Sequence, residues 1–560
     1  MTEIFTGLLL FIVLVGGLGL PVTATMALGP DERLCLGAAI GFVLVYLAAW
    51  IVYWLVLPLA FFWILPVAAV VAVALRRRAL AALFNDGGTR RLTVLWLLVA
   101  AWCLGLLTLV RSYSGGEWVG DWFEHYQRAL FFLQHQPLDT VFLLQYPLPA
   151  RPPLANLTIG ALMALTKPGF AQFQICTTLC GSLAFIPAAM LARRFRKTAG
   201  SDPAATLALL LMLCPLFVEN TTFSWTKMET VFFTLTGLFL FLKAEDSKSH
   251  ERTLGMALCL GAALLTHYSA GPYVVILGAV WCWRRRAGWT RQAFWREAIP
   301  PLAVTIILLS TWFMWATWNY GSATFLSNTT VTVGKGLSLS HQLAQKALNL
   351  FITLVPHPLR PADYIFVQQT SALSWWRDYF FNIYQTNLPL ACGSGSLIAM
   401  GALVWRQRRA LSVFWGGFIL AAVLLNTLLI AGPDRWGTVH VCLQPVVLIA
   451  LAWLAAGLPT LGRALKVILS VGLAVDFILG IALHFWVQHL VFSPHLFANH
   501  GGQQLIDLHG YATWNNFLAK ISLHLGFLGD IAPPPILVCG LLAALLGLTA
   551  CLAFKKAKPS

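Results

Sequence analysis

The sequence predicts an all-α polytopic membrane protein, a bundle of about 14 transmembrane helices with external juxtamembrane helices. Hydrophobic residues make up 59% of the 560 residues and the mean hydropathy is +0.76, which excludes an ordinary soluble domain. Many apolar runs approach the length that a helix needs to cross a bilayer. The sequence lacks the alternating segments of about ten residues that build a transmembrane β-barrel.

The apolar runs also suggest how the chain is divided. The first three runs are followed by a polar link at residues 85–91, which is the predicted boundary. We therefore expect an N-terminal membrane region of about three extra helices at 1–90, a main transmembrane module at 91–470 and C-terminal helices at 471–560. The runs lie at residues 4–28, 36–57, 58–75, 92–110, 153–166, 170–192, 204–218, 229–243, 253–269, 271–283, 298–319, 388–405, 411–431, 441–459, 467–487 and 534–554.

Clusters of lysine and arginine fall on one side of the membrane if the predicted spans alternate in direction. The positive-inside rule assigns this side to the cytoplasm. The formal net charge of +16 is then mostly topological and does not predict a nucleic-acid partner. We expect an integral protein of the bacterial inner membrane whose active site faces the periplasm. The clusters lie at residues 76–78, 90–91, 193–197, 243–252, 284–296, 406–409, 463–466 and 555–558.

Three long polar segments share the opposite, external side, at residues 112–152, 321–387 and 488–532. In the second segment, the apolar spacing of SHQLAQKALNLFITLV predicts a helix that lies on the membrane. Because long ordered loops often carry function, we expect this segment to help cover the active site.

The first external segment holds an unusual density of charge for a chain in which charged residues make up only 10%. Asp121 and Glu124 are three residues apart and share one face if this part is helical. The apolar residues 130–133 are expected to lie flat against the membrane surface. The titratable side chains of this segment include Glu117, Asp121, Glu124, His125, Arg128, Asp139 and Arg151.

Two motifs in this region resemble a known family. GDWFEHYQRALFF at 120–132 and ARPPLANLTIGAL at 150–162 resemble the D-E-x-x-Y … K/R-P-P-L pattern of the GT-C membrane glycosyltransferases. The most similar branch is that of the protein O-mannosyltransferases and the bacterial lipid A aminoarabinose transferases. The resemblance covers about residues 92–290 and weakens toward residue 460. It implies a GT-C-like catalytic bundle that takes a sugar from a polyprenyl-phosphate carrier and uses an acidic residue of the first external loop.

Three features depart from the family pattern. Glu124 comes three positions after Asp121, whereas the family has its second acid adjacent to the first. Three extra spans also precede the pattern, and no large soluble C-terminal domain is expected. These departures leave the branch and the acceptor open.

Asp121 and Glu124 are the candidate catalytic residues, because transfer of a sugar to a hydroxyl needs a carboxylate that accepts the hydroxyl proton. Guanidinium groups offer several fixed donors to a phosphate, although such side chains also reach toward lipid headgroups. The candidate substrate-binding residues are His125, Tyr126, Arg128, Arg151, Lys227, Glu229, His267, Tyr268 and Arg435.

The last five of these candidates lie outside the two motifs. Lys227 and Glu229 share an external loop, so they either pair with each other or contribute to the site. His267 precedes Tyr268 at the end of a span, where the family often has a basic residue for the carrier phosphate. Arg435 resembles a later external motif of the family and could neutralise that phosphate, or it could pair with the aspartate before it.

The favoured function is an inverting glycosyltransferase that uses a polyprenyl-phosphate sugar, with Asp121 as general base. No cofactor is certain and a divalent metal is possible. The expected partners are the lipid-linked donor, a lipid, glycan or protein acceptor, and membrane lipids. The alternatives are a polysaccharide polymerase or ligase that uses a lipid-diphosphate donor, and a transporter or flippase. Transport is disfavoured because the charges gather in external loops and no internal repeat is found.

Overall fold

The computed structural model describes residues 2–111, 113, 121–143, 146–196, 202–247, 249–288, 290–327, 338–360, 372–407, 412–430, 439–490 and 526–554. Helices dominate these ranges, which confirms the predicted all-α class. The helices α1 to α17 are Thr2–Phe11, Gly17–Thr23, Pro30–Trp54, Ile64–Asn85, Gly87–Leu107, Asp121–Gln134, Leu154–Ala164, Phe170–Ser182, Phe185–Phe195, Pro203–Met212, Pro215–Thr222, Lys227–Ser247, His250–Thr266, Gly271–Arg285, Arg291–Glu297, Ile299–Tyr320 and Ala323–Leu326. The later helices are Leu339–Leu354, Ala372–Gln385, Leu388–Ala391, Ser394–Gln407, Val413–Leu425, Gln444–Gly457, Arg463–Asp476, Leu483–Leu490 and Pro535–Phe554.

Nine helices of the described ranges are long and apolar enough to cross a membrane, or ten if α10 and α11, bent by 70°, form one span. The predicted number of about 14 is not confirmed. Several apolar runs form helices that are shorter than the roughly 20 residues a span needs. Examples are α7 with 11 residues, α13 with 17 and α14 with 15.

The N-terminal helices pack directly against the rest of the bundle. Helix α3 lies against α7, and its Trp50 ring contacts Trp315 at 5.3 Å between centroids. Tyr53, near the end of α3, contacts Phe132 of α6 at 5.0 Å. The polar link after α4 ends that helix, and the Asp86 carboxylate accepts the Thr89 backbone N–H at 2.7 Å, which caps α5. The division of the chain near residue 90 stays a prediction.

Helix α5 crosses between two differently charged ends of the bundle. At its start, Arg193 pairs with Asp202 at 2.6 Å and donates to the Gly88 carbonyl at 3.3 Å. Asp31 also pairs with Arg193. Beyond the end of α5 the chain reaches the first predicted external segment, which contains Asp121. Basic clusters and the acidic segment therefore lie at opposite ends of a candidate span.

Helix α6 begins at Asp121 and is enclosed by protein on several sides. The side chains of Phe131, Phe132 and Leu133 are buried because they pack in the protein interior, with α6 lying on α7 and with Tyr53 of α3 in contact with both phenylalanine rings. The expectation that residues 130–133 lie on the membrane surface is therefore wrong for these three. Helix α6 is followed by a two-stranded hairpin, β1 (Val141–Phe142) and β2 (Tyr146–Pro147), in which Val141 pairs with Pro147.

The other two external segments are described in part. In the second, Leu339–Leu354 is helical, as its apolar spacing predicts. In the third, the described part of the chain begins again at Gly526 and places the Phe527 ring 5.5 Å from Trp122, the residue after Asp121. The Gly529 backbone N–H donates to the Val110 carbonyl at 3.2 Å. This part of the third segment therefore packs beside the start of α6.

Candidate active site

Asp121 and Glu124 lie on one face of α6, as their spacing predicts. Their surroundings differ. The Asp121 side chain is partly exposed, whereas Glu124 has no exposed surface. Only Asp121 is therefore open to a reacting molecule.

Glu124 is held between two arginines. Its Oε1 lies 2.8 Å from Arg128 Nη2 and its Oε2 lies 3.4 Å from Arg151 Nη2. Burial opposes ionisation of Glu124, but the nearby guanidinium groups of Arg151 and Arg128 outweigh it and hold the pKa below its ordinary value. Glu124 is therefore an ionised carboxylate whose role in this arrangement is to neutralise buried cations.

Arg128 uses its donors within the protein. Only 1% of its side chain is exposed. It donates to the carbonyls of Pro147, at 3.1 Å, and Leu148, and its guanidinium lies 4.3 Å from the centre of the Phe142 ring. Arg128 thereby fastens the hairpin to α6. Its predicted role in substrate binding would require these contacts to break.

Arg151 lies at the other end of the same connection and keeps 12% of its side chain exposed. The rigid Pro152-Pro153 pair directly after it leads into α7. Before it, the Pro149 carbonyl accepts the Tyr268 hydroxyl at 3.1 Å. The Arg151 guanidinium lies 5.6 Å from the centre of the Tyr146 ring. Arg151 is thus contacted on several sides and keeps a small exposed surface.

The Asp121 carboxyl has a raised pKa. Burial is the largest cause, and the neighbouring Glu124 charge adds to it. The positive charges of Arg151 and Lys227 act in the opposite direction and do not fully cancel it. Asp121 is therefore the carboxyl of this pair that can take up and release a proton.

Lys227 and His267 come to the same place from distant parts of the chain. Lys227 interacts electrostatically with both Asp121 and His267, and its Nζ lies 3.7 Å from the centre of the Trp225 ring. His267 Nδ1 is fixed by Ser269 Oγ at 2.8 Å. The predicted residues Asp121, Glu124, Arg128, Arg151, Lys227, His267 and Tyr268 thus form one cluster.

The charges of this cluster are unequal. Among the described residues it contains three basic side chains, Arg128, Arg151 and Lys227, and two carboxyl groups, Asp121 and Glu124. Arg128 is enclosed by its contacts with Glu124 and the hairpin carbonyls, whereas Arg151 and Lys227 lie near the Asp121 carboxyl. An anionic ligand group would be stabilised there.

Other predicted substrate-binding residues make their contacts outside this cluster. The Glu229 carboxyl lies against Cys180 of α8, and the Tyr126 ring packs against Phe170 at 5.3 Å between centroids. His125 Nδ1 lies 3.2 Å from the Asn156 side-chain oxygen. Burial lowers the pKa of His125 to about 3, so its imidazole is neutral. Arg435 lies outside the described residues.

Trp225 and Tyr146 belong to the cluster and were missed by the sequence analysis. Trp225 is two residues before Lys227, and Tyr146 is next to the proline-rich turn. Tryptophan and tyrosine near membrane borders usually indicate interface anchors, so neither residue carried a distinct signal. In the ranges that the structure describes, no group of three or more His, Cys, Asp or Glu side chains could hold a metal ion.

Comparison with known proteins points to one enzyme class. Residues 150–315 match the model of a family described as dolichyl-phosphate-mannose-protein mannosyltransferase. This segment begins one residue before Arg151 and contains Lys227 and His267, whereas Asp121 lies before it. No curated protein matches the sequence.

Among solved structures, the chain is similar to ArnT from Cupriavidus metallidurans at 15% identity. The match to the crystal structure bound to undecaprenyl phosphate covers 82% of this chain and 77% of that chain, with a TM-score of 0.46. The match to the apo crystal structure covers 83% and 78%, with a TM-score of 0.45. Likeness at this level is too low to transfer a ligand or an activity.

The matched segment starts at the second of the two motifs, and it contains the cationic residues that the fold brings to Asp121. The family match over residues 150–315 thus confirms the predicted resemblance to the GT-C membrane glycosyltransferases.

Proposed function

We propose that the protein transfers a sugar from a polyprenyl-phosphate carrier to an acceptor hydroxyl, with inversion at the anomeric carbon and with Asp121 as general base. The observation that carries this proposal is the partly exposed Asp121 carboxyl with the basic side chains of Arg151 and Lys227 near it. The matched family is described by a lipid-phosphate-linked sugar, which supports the same class of donor.

The cluster supplies two functions that this reaction needs. The raised pKa of Asp121 makes its carboxylate a better proton acceptor than an ordinary aspartate. The acceptor oxygen forms a bond to the anomeric carbon, and its proton passes to Asp121. The bond between that carbon and the phosphate oxygen breaks, and negative charge develops on the carrier phosphate. Arg151 and Lys227 stabilise this charge.

Donor binding tests the assignment of the cations. We expect the double variant Arg151→Met and Lys227→Met to bind undecaprenyl phosphate at least about tenfold more weakly than the wild type, because each charged hydrogen bond contributes about 1.5–3 kcal/mol. Binding of uncharged undecaprenol should change little. The measurement is a binding titration with purified protein in nanodiscs.

A matched control is Arg194→Met, since Arg194 pairs with Asp246 in the basic region at the opposite end of the bundle. Its affinity for undecaprenyl phosphate should equal that of the wild type. Equal affinities of the wild type and the double variant would contradict the phosphate assignment. Stronger binding of undecaprenyl diphosphate, with no transfer from monophosphate donors, would favour a lipid-diphosphate-dependent polymerase or ligase.

The proposed orientation places Asp121 on the periplasmic or luminal side. Asp139 is exposed in the turn between α6 and the hairpin, and Cys282 is exposed two residues before Arg284 in a predicted cytoplasmic cluster. In spheroplasts, a membrane-impermeant maleimide should label the variant Asp139→Cys but leave Cys282 unlabelled until the membrane is permeabilised. Labelling of Cys282 in intact spheroplasts, without labelling at position 139, would contradict the proposed orientation.

A further inference from the structure

One face of α3 carries three aromatic side chains toward other parts of the bundle. Tyr46, Trp50 and Tyr53 follow one another at spacings of four and three residues, so they share a helix face. All three side chains are buried. The Tyr46 hydroxyl lies 2.6 Å from Thr311 Oγ1 of α16, and the Tyr53 ring contacts Phe131 of α6 at 5.9 Å between centroids. This aromatic face therefore packs against both α16 and α6.

Trp50, in the middle of this face, begins a chain of contacts that leads to the proposed active site. Its ring meets Trp312 of α16 at 6.2 Å between centroids and at 81°, the edge-to-face arrangement that aromatic pairs prefer. Trp312 has no exposed surface, and its indole N–H donates to the Tyr268 hydroxyl at 3.4 Å. The Tyr268 hydroxyl in turn donates to the Pro149 carbonyl at 3.1 Å. Side chains thus connect α3 to the turn that precedes Arg151.

This proline-rich turn, at residues 147–153, depends on donors from outside. Four of its seven residues are prolines, which have no backbone N–H. The Arg151 backbone N–H donates to the Leu148 carbonyl at 3.5 Å, which is long for a hydrogen bond. The Tyr268 hydroxyl therefore supplies a donor that the turn itself lacks. Movement of Tyr268 would displace Pro149 and, two residues later, Arg151.

We infer that Trp50 is a positioning residue that acts through Trp312 and Tyr268 to hold Arg151 in place for the carrier phosphate. A guanidinium group binds a phosphate best when its donors are held in a fixed geometry. The helix α3 precedes residues 150–315, which match the family model, so the inference gives the N-terminal helices a part in the site. It rests on the proposed function, because that function assigns Arg151 to the phosphate.

A double-mutant cycle tests whether Trp50 acts through Arg151. Trp50→Leu should bind undecaprenyl phosphate about fivefold more weakly than the wild type, because an unsupported side chain must be ordered on binding. When Arg151→Met is already present, adding Trp50→Leu should cause no further weakening, since the side chain that it positions is gone. Binding of uncharged undecaprenol should change little in all four proteins. The measurement is a titration of full-length protein in nanodiscs.

Two further variants of α3 separate positioning from general packing. Phe42 is 1% exposed on the same helix, but its ring packs against Phe233 of α12 at 5.7 Å between centroids. Phe42→Leu should therefore bind undecaprenyl phosphate with the wild-type affinity. Trp50→Phe keeps an aromatic ring against α16 and should restore most of the affinity that Trp50→Leu loses.

Trp312→Phe is a smaller change that tests the same chain of contacts. It keeps a ring beside Trp50 but removes the N–H donor to Tyr268. We expect an affinity for undecaprenyl phosphate about threefold lower, within the usual contribution of one hydrogen bond, and again no effect when Arg151→Met is present. If the elution profile shows that Trp50→Leu does not fold, this cycle decides the question.

The two proposals fail in different ways. If the wild type and Arg151→Met bind undecaprenyl phosphate equally, the phosphate assignment fails and this inference fails with it. If Arg151→Met binds more weakly while Trp50→Leu binds as the wild type does, the positioning role alone is overturned. The same holds if Trp50→Leu weakens binding equally with and without Arg151→Met, or if Phe42→Leu weakens it as much.

Discussion

Asp121→Asn is expected to lower the rate of sugar transfer by about 10²–10⁴-fold, which is the usual contribution of a positioned general base. The asparagine keeps the shape of the side chain but cannot accept the hydroxyl proton. Because Asp121 makes no ion pair within 4.0 Å among the described residues, whereas Glu124 does, folding and donor binding should be largely preserved. The assay is turnover of purified variants supplied with a polyprenyl-phosphate sugar.

The wild-type pH dependence provides a second test of the same assignment. A base acts only when it is deprotonated, so the rate should fall as the pH decreases through the pKa of Asp121. Since that pKa is raised, the fall should begin above the range of an ordinary aspartate. In Arg151→Met, which removes an opposing cation, the fall should begin at a still higher pH.

Asp139→Asn is a suitable control, because Asp139 is an exposed acid of the same external segment. It should turn over at the wild-type rate. Near-normal turnover by Asp121→Asn would contradict the general-base assignment. Glu124 would then be a poor replacement, since both of its oxygens already face guanidinium groups.

Glu124→Gln is expected to destabilise the fold more than any other single change proposed above. It leaves the fully buried Arg128 without its carboxylate, and breaking a buried pair in this way costs about 3–5 kcal/mol. The apparent unfolding temperature of the variant in nanodiscs should therefore fall clearly below that of the wild type. Loss of activity should accompany loss of structure.

The matched control for this prediction is Asp246→Asn, which breaks an ion pair whose partners are 51% and 30% exposed. Exposed pairs contribute only about 0–1 kcal/mol, so its unfolding temperature should hardly change. If Glu124→Gln were as stable as Asp246→Asn but inactive, Glu124 would act in the reaction and not as a buried counter-ion.

The sequence by itself determined the class of the fold and pointed to the segment in which we propose that the chemistry occurs. Apolar runs of bilayer length predict membrane helices because backbone polar groups in lipid must be paired within the segment. The charge-rich segment around Asp121 stands out because charges are costly near lipid unless they have a function. The second motif also includes Arg151, a candidate substrate-binding residue. Lys227 and His267 lie outside both motifs and were candidates on weaker grounds.

The number of spans could not be predicted from the apolar runs. Apolar composition does not distinguish a helix that crosses the membrane from a short helix buried within the bundle, since both have apolar surroundings. Helix α7, with 11 residues, is too short to cross, yet its sequence is apolar. For the same reason, Phe131 and Phe132 were assigned to the membrane surface although they pack inside the protein.

Only the tertiary structure decided which charged groups are enclosed by protein and which keep exposed surface. Arg128 and Arg151 look equivalent in the sequence, but the hairpin encloses Arg128 while Arg151 stays partly open. Asp121 and Glu124 look equivalent too, but the two arginines neutralise Glu124 and leave Asp121 with a raised pKa. The physical reason is that a side chain's charge state and its free donors depend on burial and on neighbours distant in sequence.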